Sequence, residues 1–107
     1  MFYDFPQDFK KFEPAPGFLV RVASGRRSML SHVTLQPNAE APLHHHSEEQ
    51  IGIVLEGEFD MTIGDETRLL KKGNMYLVPA NMTHGGLAGA DGAVVLDVFS
   101  PPRKAYK

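Results

Sequence analysis

The stretch Gln50-Ile-Gly-Ile-Val-Leu-Glu-Gly57-Glu-Phe-Asp-Met-Thr-Ile63-Gly64-Asp65 alternates apolar and polar residues and breaks only at glycines. A period of two places successive side chains on opposite faces of extended backbone. Gln50–Leu55 therefore reads as a strand, with Gln50, Gly52 and Val54 on one face and Ile51, Ile53 and Leu55 on the other. Glu56-Gly57 is predicted to turn the chain. Glu58–Ile63 reads as the next strand, with Phe59, Met61 and Ile63 facing one way. Gly64-Asp65 suits a two-residue hairpin, because glycine adopts positive φ without steric cost.

The same grammar extends outward in both directions. Thr67–Leu70 continues the sheet, Lys72-Gly73 turns, and Met75–Val78 runs to Pro79. Upstream, Leu30–Leu35 is a strand. Downstream, Ala93–Phe99 is a strand that Pro101-Pro102 stops, since proline cannot donate to a ladder. Short alternating runs cut by turns predict an all-β sandwich or barrel. No long helix is predicted. Phe2, Phe5, Phe9 and Phe12 recur at spacings compatible with a short amphipathic turn, and Pro6, Pro14 and Pro16 limit its length. Five of the seven phenylalanines fall in the first 18 residues. Residues 1–16 are accordingly read as an N-terminal arm, packing either on the barrel or on a dimer partner.

The 107 residues suit a single domain. A net charge of −2 supplies no basic field for nucleic acid or an anionic membrane, so neither is expected as a partner. The absence of cysteine removes disulfides, thiolate metal sites and cysteine nucleophiles together. The first residues lack the basic start and apolar run of a signal peptide, and no stretch approaches the ~20 apolar residues of a membrane span. A cytoplasmic protein is the expectation.

The chemistry concentrates in His44-His45-His46. On extended backbone His44 and His46 share a face and His45 opposes them. Gln50 has the same parity, provided the intervening turn does not shift it. Glu48 and Glu49 are alternatives to it, Glu49 being the weaker by parity. Gly52 would leave room beside Gln50 for a ligand to approach the backbone. A further ligand is expected from elsewhere, and His84 stands just beyond a strand and a proline turn. Imidazole suits zinc, copper, iron and nickel, and an amide oxygen is a weaker neutral donor. A solvated polar loop is the competing reading of the triplet. His32, in an apolar strand, reads as a core or wall residue rather than a ligand.

Pro37 through Gly57, containing His44-His-His46-Ser-Glu-Glu-Gln50-Ile-Gly, resembles the first motif of the cupin superfamily, and Gly73 through His84 resembles the second. The resemblance implies a double-stranded β-helix, the RmlC-like jelly-roll barrel. Three positions depart from the general pattern: Gln50 replaces the usual glutamate, Asn81 a common glycine, and Ala88 a common asparagine. The run His-x-His-x-x-Glu-Gln-Ile-Gly, with Leu96-Asp-Val-Phe-Ser-Pro-Pro-Arg103, is similar to one branch, small cupins of the pectin-degradation (KdgF) type. That likeness implies one divalent transition metal (nickel, iron, manganese or zinc) on His44, His46, Gln50 and His84. It implies a pocket lined by Asp97, Phe99 and Arg103. The implied activity converts 4,5-unsaturated uronates to linear keto sugar acids, and a homodimer is expected because dimers are common in the superfamily.

The residues, read in their own right, agree with that chemistry in part. Four neutral ligands leave the charge of a divalent cation uncompensated, favouring an anionic ligand and weakening metal affinity. A carboxylate at Asp97, on the strand face of Ala93, Val95 and Phe99, is costly unless paired or useful: it reads as an edge-strand surface residue, as a partner for Arg103, or, as the resemblance favours, as a proton-transfer group. Arg103, stiffened by two prolines, offers paired hydrogen bonds to a substrate carboxylate. An iron- or copper-dependent dioxygenase and a non-catalytic acid-binding module are the alternatives.

Overall fold

The computed structural model describes all 107 residues. Eight strands, β1 (Lys10–Ala15), β2 (Phe18–Ser24), β3 (Met29–Leu35), β4 (Glu40–His44), β5 (Glu49–Ile63), β6 (Glu66–Lys71), β7 (Met75–Val78) and β8 (His84–Ser100), precede a 3-10 turn at Lys104–Tyr106. Every strand pairing is antiparallel. The long strands β5 and β8 run side by side and serve two layers. Their outer-end halves, Glu49–Val54 and Val95–Ser100, carry β7 on one side and β3, β2 and β1 on the other. Their remaining halves carry β6 and β4. Val20, Met29, Val33, Val54 and Val78 from the first layer meet Phe59, Met61 and Leu70 from the second in one buried core. This is the all-β jelly-roll barrel.

The expected turn at Glu56-Gly57 does not reverse the chain. Those residues lie inside β5, where the register against β8 shifts twice, between Val54 and Glu56 and between Gly57 and Phe59. Gly57 has φ of +74°, and a side chain there would strike the Gly92 carbonyl. The bulge switches parity: Gln50, Gly52 and Val54 face inward before it, Phe59 and Met61 after it. Alternation alone sees two strands and reads the interruption as a turn. Gly64 does begin the two-residue loop between β5 and β6, with φ of +60°.

β8 starts nine residues before the expected Ala93. Its first half is rich in glycine, which alternation cannot score, yet Gly85 and Gly86 are where strand backbone and Phe59 press in. The strands β1, β2 and β4 were also outside the expected set. Within residues 1–16, Lys10–Ala15 forms β1, and Phe12 packs on the Tyr106 ring at 4.8 Å. The anticipated turn is a single one, closed by Asp8 N–H on the Asp4 carbonyl, and Phe5 sits on the His32 ring at 4.5 Å. His32 is thus a wall residue under the arm.

The outer face of the first layer is apolar across five strands. One cross-strand row reads Leu77, Ile51, Val98, Leu30, Ala23, and the next begins Met75, Ile53, Leu96 before reaching His32 and Arg21. Met75 and Leu77 are more than half exposed. No helix is long and apolar enough to cross a membrane.

Candidate metal and substrate site

The two layers bring the histidines together at one end of the barrel. His44 closes β4 directly opposite His84, the first residue of β8. His46 follows in the loop that enters β5, and Gln50 pairs with Phe99 on β8 and Val78 on β7. Nitrogens of His44, His46 and His84 all lie within 4.8 Å of one another.

Backbone carbonyls set the tautomers. Nδ1 of His44 donates to Pro42 O at 2.8 Å, Nδ1 of His46 to Glu48 O at 2.9 Å, and Nδ1 of His84 to Met82 O at 2.8 Å. A carbonyl only accepts, so each Nδ1 carries the proton and each neutral ring offers its Nε2 lone pair. Two consequences point to a cation. The His84 Nε2 is buried with no partner. The His46 Nε2 faces the Gln50 Oε1 at 3.1 Å, and these are two acceptors with no proton between them. A shared cation relieves both, and the carbonyl bonds behind the rings are the usual support for metal-ligating histidine. The donor set of three imidazoles and an amide oxygen fits a divalent transition metal.

Burial keeps these rings neutral. It lowers the pKa of His44 and His46 and takes His84 down to about 4, with the Arg103 guanidinium pushing in the same direction. Glu48, an alternative ligand on sequence grounds, is committed elsewhere. Its carboxylate accepts the Lys104 N–H at 3.1 Å and lies 3.6 Å from His46 Nδ1, joining the C-terminal turn to the histidine loop. Burial alone would raise its pKa, but the backbone N–H groups and nearby cations hold it low. Glu49 is exposed.

Asp97 lies one row deeper, buried and hydrogen-bonded to the Tyr76 hydroxyl at 2.5 Å. The row reads Tyr76, Gly52, Asp97, Ser31 across β7, β5, β8 and β3. Gly52 explains how Tyr76 reaches Asp97: a Cβ at residue 52 would collide with both. The space expected beside Gln50 for a ligand is therefore filled by this pair. Gly52→Ala is expected to break the Tyr76–Asp97 bond and destabilise the fold by about 2–4 kcal/mol, read as a lower urea midpoint. An unchanged midpoint would show that the pair has another way to meet. Burial lifts the Asp97 pKa to about 6, against the opposing pull of the Tyr76 and Gln50 hydrogen bonds and the Arg103 charge. The Tyr76 phenol is pushed well above its ordinary value by burial and by Asp97.

Arg103 is half-buried. Its guanidinium stacks 4.0 Å from the Tyr106 ring centroid and 5.7 Å from that of Phe99, and its Nε has no protein partner. Phe99 is buried behind His46, their rings 5.5 Å apart, and forms a wall of the same pocket. His44 and Arg103 also border the outer mouth, walled by Pro14, Phe18 and Pro42. Tyr76, Ser31 and Tyr106 were absent from the sequence-derived site. Only the inward parity of Tyr76 and Ser31 hinted at them, and strand register was needed to set them beside Asp97.

The cupin domain family model matches residues 31–99. The chain is 39% identical over 65 residues to the pectin degradation protein KdgF of Dickeya dadantii (strain 3937), a match covering 61% of this chain and 59% of that one. It is 40% identical over 68 residues to the H2HPP isomerase of Bacillus subtilis, covering 63% of this chain and 28% of the relative. Both matches thus span less than two thirds of the relative's length. The solved structure of KdgF from Halomonas sp. superposes with a TM-score of 0.87 at 26% identity, covering 98% of this chain and 97% of that one.

Proposed function

Because the chain belongs to the cupin domain family, we propose that it is a metal-dependent isomerase that converts 4,5-unsaturated uronates from pectin or alginate breakdown into linear keto sugar acids. The observation that carries the proposal is the buried Asp97, hydrogen-bonded to Tyr76 in the pocket that His44 and His84 also line, with its pKa raised to about 6. The likeness to two KdgF proteins supports the substrate class, and the isomerase name of the second curated relative supports proton-shift chemistry.

His44, His46, Gln50 and His84 would hold the metal, which supplies Lewis acidity to a substrate oxygen when bound. Arg103 pairs with the substrate carboxylate and fixes its orientation. Opening the ring breaks the bond between the anomeric carbon and the ring oxygen, as the anomeric hydroxyl gives up its proton. An aldehyde and an enol result. Asp97, protonated in part at neutral pH, delivers a proton to the enol carbon and recovers one from the enol oxygen, leaving a ketone. Tyr76 holds the Asp97 carboxyl in place through this exchange. Atoms balance without a redox partner. Metal-loaded protein is expected to speed the loss of ultraviolet absorbance of an unsaturated uronate above the spontaneous rate. Oxygen uptake instead would point to a dioxygenase, and binding without turnover to a non-catalytic module.

The outer apolar face supports a homodimer. Its five-strand row carries no charge, and contiguous apolar patches of this kind are unusual on a monomer. The N-terminal arm borders the same face: Phe5 is seated on His32 while Phe2 is fully exposed. A two-fold partner would cover both the face and the arm, and a stable interface of this kind takes roughly 800 Å² per copy. Light scattering after gel filtration should give twice the monomer mass, and Ile51→Lys with Leu77→Lys should give a folded monomer. A monomeric parent protein would end this reading.

A further inference from the structure

Three side chains in the pocket, His84, Arg103 and Ser31, carry a polar atom that nothing in the protein satisfies, and that of His84 faces the proposed metal. The Arg103 Nε is accounted for by a substrate carboxylate. The Ser31 Oγ is not. Ser31 is fully buried, lines the pocket, and has no hydrogen-bond partner. A buried hydroxyl left unpaired is destabilising, and native proteins keep few of them. Its neighbours in the same inward-facing column are Met29 and Val33, so an apolar residue would be at home at this position. Strand register places it directly across from Asp97, on the side away from Gly52 and Tyr76.

We infer that Ser31 is a substrate-binding residue, donating a hydrogen bond to a hydroxyl or carbonyl oxygen of the sugar acid beside Asp97. The inference rests on the uronate reading above and extends it. Arg103 grips the carboxylate near the mouth, and Ser31 grips a second oxygen at depth. The ligand is thereby fixed at two points, with Ser31 directly across from the proton-transfer group. Tyr76 cannot serve this role, because its hydroxyl is occupied by Asp97. The site selects an acid with a second oxygen set back from its carboxylate, and a simple monocarboxylate lacking that oxygen gains nothing from Ser31.

The test uses metal-loaded protein, an unsaturated uronate, and the variants Ser31→Ala and Ser31→Cys. Cysteine nearly keeps the shape of serine but is a poor donor. Both variants are expected to raise KM about tenfold, the scale of one lost hydrogen bond. They should leave kcat within about twofold and the pH profile unshifted, and substrate-free Ser31→Ala should melt at or above the parent temperature. If KM is unchanged in both variants while the parent protein turns over, the Ser31 inference is wrong and the isomerase stands. If Ser31→Cys behaves as the parent and only Ser31→Ala fails, the role is packing, which also overturns it. If the parent neither binds nor converts the uronate, both readings fall together.

Discussion

Asp97→Asn is expected to lower kcat by about 10²–10⁴-fold, the usual contribution of a positioned general acid–base, and at the same time to make the folded protein more stable at pH 7. The second half follows from linkage. Burial raises the Asp97 pKa from 3.8 to about 6. A group whose folded-state pKa is raised favours the fold while protonated, below pH 3.8, and that benefit is lost as pH rises through 6. At pH 7 the carboxylate is mostly ionised in both states, and holding it inside the fold costs roughly 2–3 kcal/mol relative to the unfolded chain. Asparagine keeps an acceptor oxygen for the Tyr76 hydroxyl and carries no charge. Its advantage should be full above pH 6 and vanish near pH 4. Urea midpoints across this range, set beside turnover of an unsaturated uronate, test both halves. A variant that stays active, or that is less stable than the parent at pH 7, would remove Asp97 from the proton-transfer role. A stability cost borne at a site and relieved by an inactive substitution is the pattern expected of functional rather than structural burial.

The parts of this site that could be seen in the sequence are those that obey local periodicity. His44 and His46 fall on one face because they are two residues apart, and Asp97 stands out because it interrupts the apolar inward column of Ala93, Val95 and Phe99. What could not be seen depends on register between distant strands. Gly52 looked like space for a ligand. Its register with Tyr76 and Asp97 shows that the space admits a hydrogen bond within the protein. Glu48 looked like a spare ligand, and only the path of the C-terminal turn shows it tied to Lys104.

The fold was legible to a similar extent and for the same reason. Alternation marks β3, β7 and both halves of β5, but it cannot tell a bulge from a turn, because each interrupts the period for a residue or two. Gly57, pressed against the Gly92 carbonyl, takes positive φ within a continuing strand, as a turn glycine would between two strands. The first half of β8 carries its meaning in missing side chains, with Gly85 and Gly86 admitting neighbouring backbone and Phe59. A hydrophobic pattern records only the side chains that are present.

Metal affinity is expected to fall later and less steeply on acidification than with ordinary histidines, which would compete with protons from 6.5 downward. The reason lies in the folded protein before any ion arrives. Burial lowers His44 and His46 and takes His84 to about 4, so the His84 Nε2 lone pair is free at pH 6 and those of His44 and His46 are freer than in ordinary histidines. The same shifts predict that protein stripped by a chelator is acid-labile. The unfolded chain takes up protons at these histidines from pH 6.5 downward, while the folded chain resists at all three and at His84 until near pH 4. Stability must therefore fall across that window, with His84 alone contributing roughly 3 kcal/mol. Asp97 opposes the trend, since its folded-state pKa is raised and acidification relieves it. In the Asp97→Asn background the acid loss should be steeper, because the opposing group is gone while the histidines are unchanged. Calorimetric titration of the stripped protein with nickel or zinc at several pH values, alongside urea melts, measures both effects. Affinity that drops from pH 6.5 with a slope of several protons would mean that the rings are not held neutral, and the carbonyl-fixed tautomers would then not be what prepares this site for metal.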